Sequence, residues 1–130
     1  MIQHEKVSLI SNLFENREDI QIAVLIGSQA NGTSTETSDW DLAILWSNTL
    51  DQWKQLSHTE QLRNSLSETL KTSVENIDII DMCQAGLAMR EVIANEGLLL
   101  KGDGKLVWHH FLLKTWRELE DAEWFNNHAA

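Results

Sequence analysis

The seven residues Ile20-Gln21-Ile22-Ala23-Val24-Leu25-Ile26 include a single polar side chain, Gln21. A run this short, apolar on both alternating faces, predicts a strand covered from above and below. The rest of the chain must therefore supply a layer on each side of a sheet. The run stops at Gly27-Ser28, and small polar residues follow from Gln29 to Ser38. A second strand is predicted to begin Asp39-Trp40-Asp41 and continue Leu42 to Trp46. Side chains alternate along a strand, so Asp39 and Asp41 share one face while Trp40, Leu42, Ile44 and Trp46 turn into a core. Neighbouring carboxylates repel, and burying them unpaired is costly. A divalent cation compensates. Oxygen-only ligands suit magnesium, which takes one or two carboxylates together with substrate phosphates.

The remaining pattern alternates helices with strands. A helix is expected over residues 2–16 from the stripe Ile2, Val7, Leu9, Ile10, Leu13 and Phe14, and Ser28 to Gly32 predicts one short helical turn stopped by Gly32. Ser47 to Ser57 offers a weaker helical pattern through Leu50, Trp53 and Leu56, and Ser57-His58-Thr59-Glu60 has capping-box spacing, so a helix is expected to begin there and to carry Leu62, Leu66, Leu70 and Val74. Ile77 to Met82 reads as a third strand. Ala85 to Glu96 reads as a helix burying Leu87, Val92 and Ile93, with Gly97 as its C-terminal cap. Leu98 to Leu100 forms a short extended piece, followed by a turn. A last helix from about Lys105 to Phe125 places Trp108, Phe111, Leu112, Trp116 and Leu119 on one side. The fold class is α/β (α+β): a small mixed sheet of three to four strands flanked by helices, as one domain over 1–130.

Twenty acids against ten bases give a formal net charge of −10. Such a chain is repelled by bulk nucleic acid and anionic membranes and attracted to a basic partner, although the same charge also serves plain solubility. One cysteine, Cys83, cannot form an internal disulfide. There is no signal-peptide pattern and no apolar run of membrane-spanning length, so a cytoplasmic location is expected. The Asn31-Gly32-Thr33 sequon is irrelevant in that compartment. The five histidines show no metal-ligand spacing, and His109 and His110 diverge by about 100° on a helix. Gly-x-Ser-x-Gly and the Walker lysine motif are both missing, which argues against a serine hydrolase and a P-loop enzyme. Most of the six tryptophans suit a core. Trp124-Phe125, near the chain end, suit an exposed partner patch.

The Gly27-Ser28 turn, the ten residues after it and Asp39-x-Asp41 resemble the minimal nucleotidyltransferases of the polymerase-beta superfamily. Within them the chain is most similar to the MntA-type antitoxins that pair with HEPN-domain toxins. The resemblance implies a nucleotidyltransferase fold and a magnesium- and ATP-dependent transfer. It implies triphosphate binding at Gly27 and Ser28, and metal binding at Asp39 and Asp41. A third carboxylate is expected from the strand Ile77–Met82. Asp78 and Asp81 are three apart and face opposite ways, so only one can join. The family places its third acid early in this strand, which favours Asp78 over Asp81. Many members carry arginine in the loop after Gly-Ser, where this chain has Gln29, Ala30 and Asn31. The triphosphate must then draw on other cations, and Arg63, Arg90 and Lys101 lie in nearby segments. Arg90 is the one assigned to it.

Phosphoryl and nucleotidyl transfer require a cradle for the triphosphate, charge neutralisation and an aligned attacking oxygen. Glycine at the turn lets the backbone approach a phosphate, and Ser28 adds a hydroxyl donor. The family implies that AMP goes to a tyrosine of a cognate HEPN ribonuclease toxin. The chain has no tyrosine of its own to modify. The alternatives are a binding-only antitoxin, whose acidity would complement a basic ribonuclease, and a small-molecule nucleotidyltransferase, a class that usually carries an extra helical domain.

Overall fold

A computed structural model describes residues 3–35 and 37–128. Four strands form one mixed sheet in the order β3-β2-β1-β4, with β1 at Ile20–Ile26, β2 at Trp40–Trp46, β3 at Ile77–Asp81 and β4 at Leu98–Lys101. β1 lies antiparallel to both β2 and β4, whereas β2 and β3 run parallel. The parallel pair requires a crossover, and the long helix α3 (Gln52–Leu70) supplies it.

One face of the sheet is covered by α1 (Gln3–Glu15) and α3. Ile10, Phe14, Leu62, Leu66 and Leu70 pack there against Leu25, Trp40, Leu42, Ile44 and Trp46. Ile2, part of the predicted stripe, lies outside the described residues. The other face, with Ile22, Val24, Ile26 and Ala43, is covered by α4 (Leu87–Glu96) and α5 (Leu106–His128) through Ile93, Val107, Trp108 and Phe111. β1 is therefore sandwiched, as its composition predicts. Its register shifts between Ile20 and Ile22. That bulge lets Ile20 join the same cluster as Ala23 and Leu25, although simple alternation would put it opposite.

Two expectations need correction. α3 begins at Gln52, five residues before the predicted capping box: Asp51 is its cap, its carboxylate accepting from the Lys54 N–H at 2.8 Å. Ser57 and Glu60 sit inside a helix already under way. Val74 does not continue that helix, because Lys71 turns left-handed at φ 55° and Ser73 caps a separate 3₁₀ turn, Val74–Asn76. Gly97 is the C-terminal cap of α4 as expected, with φ −74° and ψ 150°, extended rather than left-handed. Glycine is required there for space: a Cβ would collide with the Val24 side chain and sit 2.6 Å from the Ile93 carbonyl oxygen. Among the described residues, no helix is long and apolar enough to cross a membrane.

Candidate active site

The site forms where β1 ends and β2 and β3 begin. β1 runs straight into Gly27, whose φ of 77° and ψ of −159° fall in a region essentially reserved for glycine. The carbonyl of Gly27 accepts from the N–H groups of Ala30 (3.0 Å) and Asn31 (3.2 Å), opening the one-turn helix α2 (Ser28–Asn31). Left-handed Gly32 closes it, donating its N–H to the Ser28 carbonyl. Gly27 also answers a spatial demand: a Cβ on it would lie 2.7 Å from Oδ2 of Asp41. The turn backbone and that carboxylate thus share one small space. Ser28 is half-buried beside them.

Asp39 stands exposed in the residue before β2, and Asp41 is half-buried one register step in, paired with Ile26 of β1. In the parallel β2–β3 ladder Asp41 is the register partner of Asp78. Both point away from the Trp40–Leu42 core, so two strands about 4.8 Å apart present their acids to the same side. Asp81 pairs with Ile44 and faces the α3 side of the sheet; its carboxylate accepts from the Cys83 N–H at 3.0 Å and caps the turn after β3. The structure therefore brings Asp39, Asp41 and Asp78 to one end of one face and separates Asp81 from them.

Burial raises the pKa of Asp41 above its ordinary value, and the charges of Asp78 and then Asp39 push it further in the same direction. A carboxylate with that environment gains from any cation that approaches it. Among the described residues, no three Asp, Glu, His or Cys side chains close around a point as a complete metal cage. An all-oxygen set of two or three acids fits magnesium, which keeps water and substrate oxygens in its shell. The contact between the Gly27 turn and Asp41 leaves the acids facing the backbone that would hold a triphosphate.

The three basic residues considered for the phosphates are all committed elsewhere. Arg90 pairs with Glu118 of α5 and lines a recess with Leu45, Met82 and Phe111, four residues along β2 from Asp41, or roughly 13 Å. Arg63 donates to the carbonyls of Ile77 (3.2 Å) and Val74 (3.0 Å) from the α3 side. Lys101 is buried opposite Ala23 in the middle of β1, and its ammonium reaches away from the acids to the Arg17 carbonyl at 2.6 Å. None of them is brought to the acids.

A residue that sequence reasoning passed over is Gln29. Only 7% exposed, it donates from its side-chain amide to the Ser38 carbonyl at 3.2 Å, tying the residue before Asp39 to the turn that opens at Gly27. Its own carbonyl accepts from Gln3, whose side-chain oxygen accepts from the Ser34 hydroxyl at 2.9 Å. Nothing in a polar loop signals such burial.

The model of the family described as polymerase beta, nucleotidyltransferase, matches residues 8–105, which span every strand and the whole acidic cluster. The chain belongs to this nucleotidyltransferase family. One relative is the protein adenylyltransferase MntA of Shewanella oneidensis, 26% identical over 102 residues, or 78% of this chain and 68% of that protein. A crystal structure of a toxin–antitoxin with AMP-PNP matches with a TM-score of 0.67 at 24% identity, covering 95% of this chain and 90% of that one. A structure of the tri-AMPylated Shewanella oneidensis HEPN toxin in complex with MNT antitoxin matches with a TM-score of 0.64 at 22% identity, over 94% of this chain and 90% of that one. These likenesses show the nucleotidyltransferase fold across nearly the whole chain, reaching into α5, which lies beyond the family model.

Proposed function

We propose that this nucleotidyltransferase is an antitoxin that transfers AMP from ATP to a tyrosine hydroxyl of a cognate HEPN ribonuclease toxin, neutralising it in the cytoplasm. The observation that carries the reading is the pairing of Asp41 with Asp78 across β2 and β3, beside a Gly27 whose missing side chain leaves room for the Asp41 carboxylate. The named adenylyltransferase relative and the solved complexes with AMP-PNP and with an AMPylated toxin support the choice of nucleotide and acceptor.

In this reading Asp39 and Asp41 hold magnesium, with Asp78 as the third carboxylate. When bound, the ion neutralises charge developing on the triphosphate oxygens. Gly27 and Ser28 orient the triphosphate through backbone N–H groups and a hydroxyl. The tyrosine oxygen attacks the α-phosphorus; the bond from that phosphorus to the bridging α,β-oxygen breaks, and pyrophosphate leaves with the electron pair. Asp78, the exposed acid of β3, accepts the phenolic proton. With Arg90, Arg63 and Lys101 committed elsewhere, the backbone N–H groups of the turn and the Ser28 hydroxyl are the donors this chain would offer the phosphates.

Incubation with α-labelled ATP, magnesium and purified HEPN toxin tests this. Label should appear on the toxin, and Asp41→Asn should abolish it. If Asp41→Asn leaves the toxin unlabelled yet neutralised as well as by wild type, the chain acts by binding alone.

A further inference from the structure

β3 is an outermost strand of the sheet, with β2 on one side and no strand on the other. The Met82 N–H donates to the Ile44 carbonyl of β2 at 3.0 Å, and in a parallel ladder every second residue bonds the same neighbour. Asp78 and Ile80 therefore turn their backbone groups toward β2, whereas Ile77, Ile79 and Asp81 turn theirs away from the sheet. Both ends of that outer edge are capped. Ile77 donates its N–H to the Val74 carbonyl and accepts from Arg63 Nε at 3.2 Å, and the Asp81 carbonyl accepts from the Gln84 N–H at 3.1 Å. Between these caps, the Ile79 N–H, the Ile79 carbonyl and the Asp81 N–H have no hydrogen-bond partner among the described residues. No proline or bulge blunts the strand.

Open space flanks this edge on both faces. On the α3 side, Ile79 and Asp81 border a recess of about 320 Å³ together with Gln55, Leu56 and Gln84. On the other side, past Ile80, Met82 borders the recess of about 420 Å³ that holds Arg90. The side chains of an added strand alternate between two such faces, while its main chain bonds the edge. Unpaired N–H and C=O groups in line along a strand are complementary to another main chain in extended form. Asp78 lies one residue from Ile79, on the face of the acidic cluster.

We propose that the free edge of β3 is the docking site of the acceptor protein, whose extended segment bearing the tyrosine adds to the sheet as a further strand beside Ile79. This rests on the transfer reading above and names what positions the acceptor. In antiparallel pairing, the residue opposite Ile79 exchanges both main-chain bonds with it, and the residue two before supplies a carbonyl to the Asp81 N–H. The residue just after stands opposite Asp78 on the same face, with Cβ atoms roughly 4.5–5.5 Å apart. A tyrosine there is held beside the acid that takes its proton. The residue just before stands opposite Ile80 and turns toward Leu45, Met82 and Phe111 of the Arg90 recess, which suit an apolar side chain. The residues opposite Ile79 and Asp81 turn toward the amides of Gln55 and Gln84, which suit polar ones. The acceptor sequence that fits is polar, apolar, polar, tyrosine. A second copy of this chain is a poorer occupant, because each copy carries a formal charge of −10.

Residue-resolved hydrogen exchange on the full chain, with and without purified HEPN toxin and in the absence of ATP, tests the docking apart from the chemistry. The toxin should slow exchange of the Ile79 and Asp81 amides by about tenfold or more, with a smaller effect at Asp78 and Ile80, whose N–H groups already bond β2. Ile79→Pro removes one of the free groups but no ladder bond, because that N–H faces away from β2. It should raise the KM for toxin about tenfold and leave the affinity for magnesium and ATP as in wild type. Ile79→Val keeps the N–H and should behave as wild type. Three results would overturn the proposal: Ile79 and Asp81 amides that exchange as fast with toxin as without it, a toxin KM unmoved by Ile79→Pro, or slowing that needs no toxin and grows with the chain's own concentration, which assigns the edge to a second copy. Slowed exchange with a toxin that stays unlabelled when ATP is added would support the docking and remove only the transfer reading.

Discussion

Asp41 and Asp78 are register partners on parallel strands, one half-buried and one exposed, with Gly27 closing the half-buried side. The sheet holds two like charges at neighbouring positions without a cationic side chain between them, because Arg63, Arg90 and Lys101 are all engaged elsewhere. Such an arrangement stores repulsion that a ligand relieves.

The first prediction separates β3's two acids. Asp78→Asn should lower AMP transfer by on the order of 10²–10³, the usual loss when one preorganised charge is removed from a transfer site. Asp81→Asn should leave transfer within about threefold and weaken only the turn that the Cys83 N–H closes, worth about 1 kcal/mol. Single-turnover rates of the two variants, beside their thermal melts, check this. Equal losses in both rates would remove the functional distinction between the two faces of β3.

Asp41 should trade stability for its role. Its carboxyl is raised by burial and then by Asp78 and Asp39, so the folded chain holds that proton more tightly than the unfolded chain does. Stability from this group is therefore lost as pH rises from the ordinary 3.8 through the raised value, and the loss is complete above it. Asp41→Asn removes the penalty. The variant should melt a few degrees above wild type at neutral pH, and the gap should close below pH 3.8. Magnesium with ATP should raise the wild-type melting temperature by mass action and leave the variant unmoved. A variant less stable than wild type at neutral pH would contradict the sign.

Much of this site was legible along the chain because its parts are local. Apolar β1 ends at Gly27-Ser28, and alternation alone puts Asp39 and Asp41 on the face opposite Trp40, Leu42 and Ile44. The placement of Asp78 beside Asp41 was not legible from spacing, since strand register is set by contacts far apart in sequence. Local patterns also misled. Ser57 and Glu60 have the spacing of a helix start, but Asp51 had already capped α3 and the tertiary packing of Leu62, Leu66 and Leu70 carried the helix through them. Arg90 lies close to β3 in sequence and is drawn to Glu118 across α4 and α5, a partner no linear reading identifies. Gln29 was hidden for the opposite reason: a polar residue in a hydroxyl-rich loop gives no sign of being buried until Ser38 folds back over it.

Gly27 should tolerate no side chain. Its φ and ψ cost about 1–3 kcal/mol for any other residue, and the added Cβ would press on Oδ2 of Asp41 at 2.7 Å. Gly27→Ala should therefore lower the melting temperature and, by displacing Asp41, raise the magnesium concentration needed for half-maximal transfer. Gly32→Ala, also at positive φ but with open space around it, should lose stability alone. Magnesium titrations of both variants distinguish the two glycines; identical shifts would mean that backbone strain, and not contact with Asp41, sets the requirement at Gly27.

At the far end of the sheet, Asp19 joins the start of β1 to α3. Burial alone would raise its pKa, but hydrogen bonds from Arg17 and His58, followed by their charges, hold it down at about 2. Arg17 donates through Nε at 3.0 Å and through a terminal nitrogen at 2.6 Å, while His58 approaches the same carboxylate through Nδ1 at 2.6 Å and edges against Trp46. A depressed acid contributes stability above its ordinary value of 3.8, and that contribution drains away as pH falls through about 2. The difference is worth about 2 kcal/mol, most of it felt between pH 4 and 2. Asp19→Asn should thus destabilise the chain at neutral pH by about that amount and flatten the acid limb of its stability curve, leaving the rate of AMP transfer unchanged because the triad lies at the opposite end of β1 from Asp41. Denaturant unfolding at pH 7, 4 and 2 measures it, and a variant whose deficit persists undiminished at pH 2 would show that Asp19 acts by packing and not through its charge.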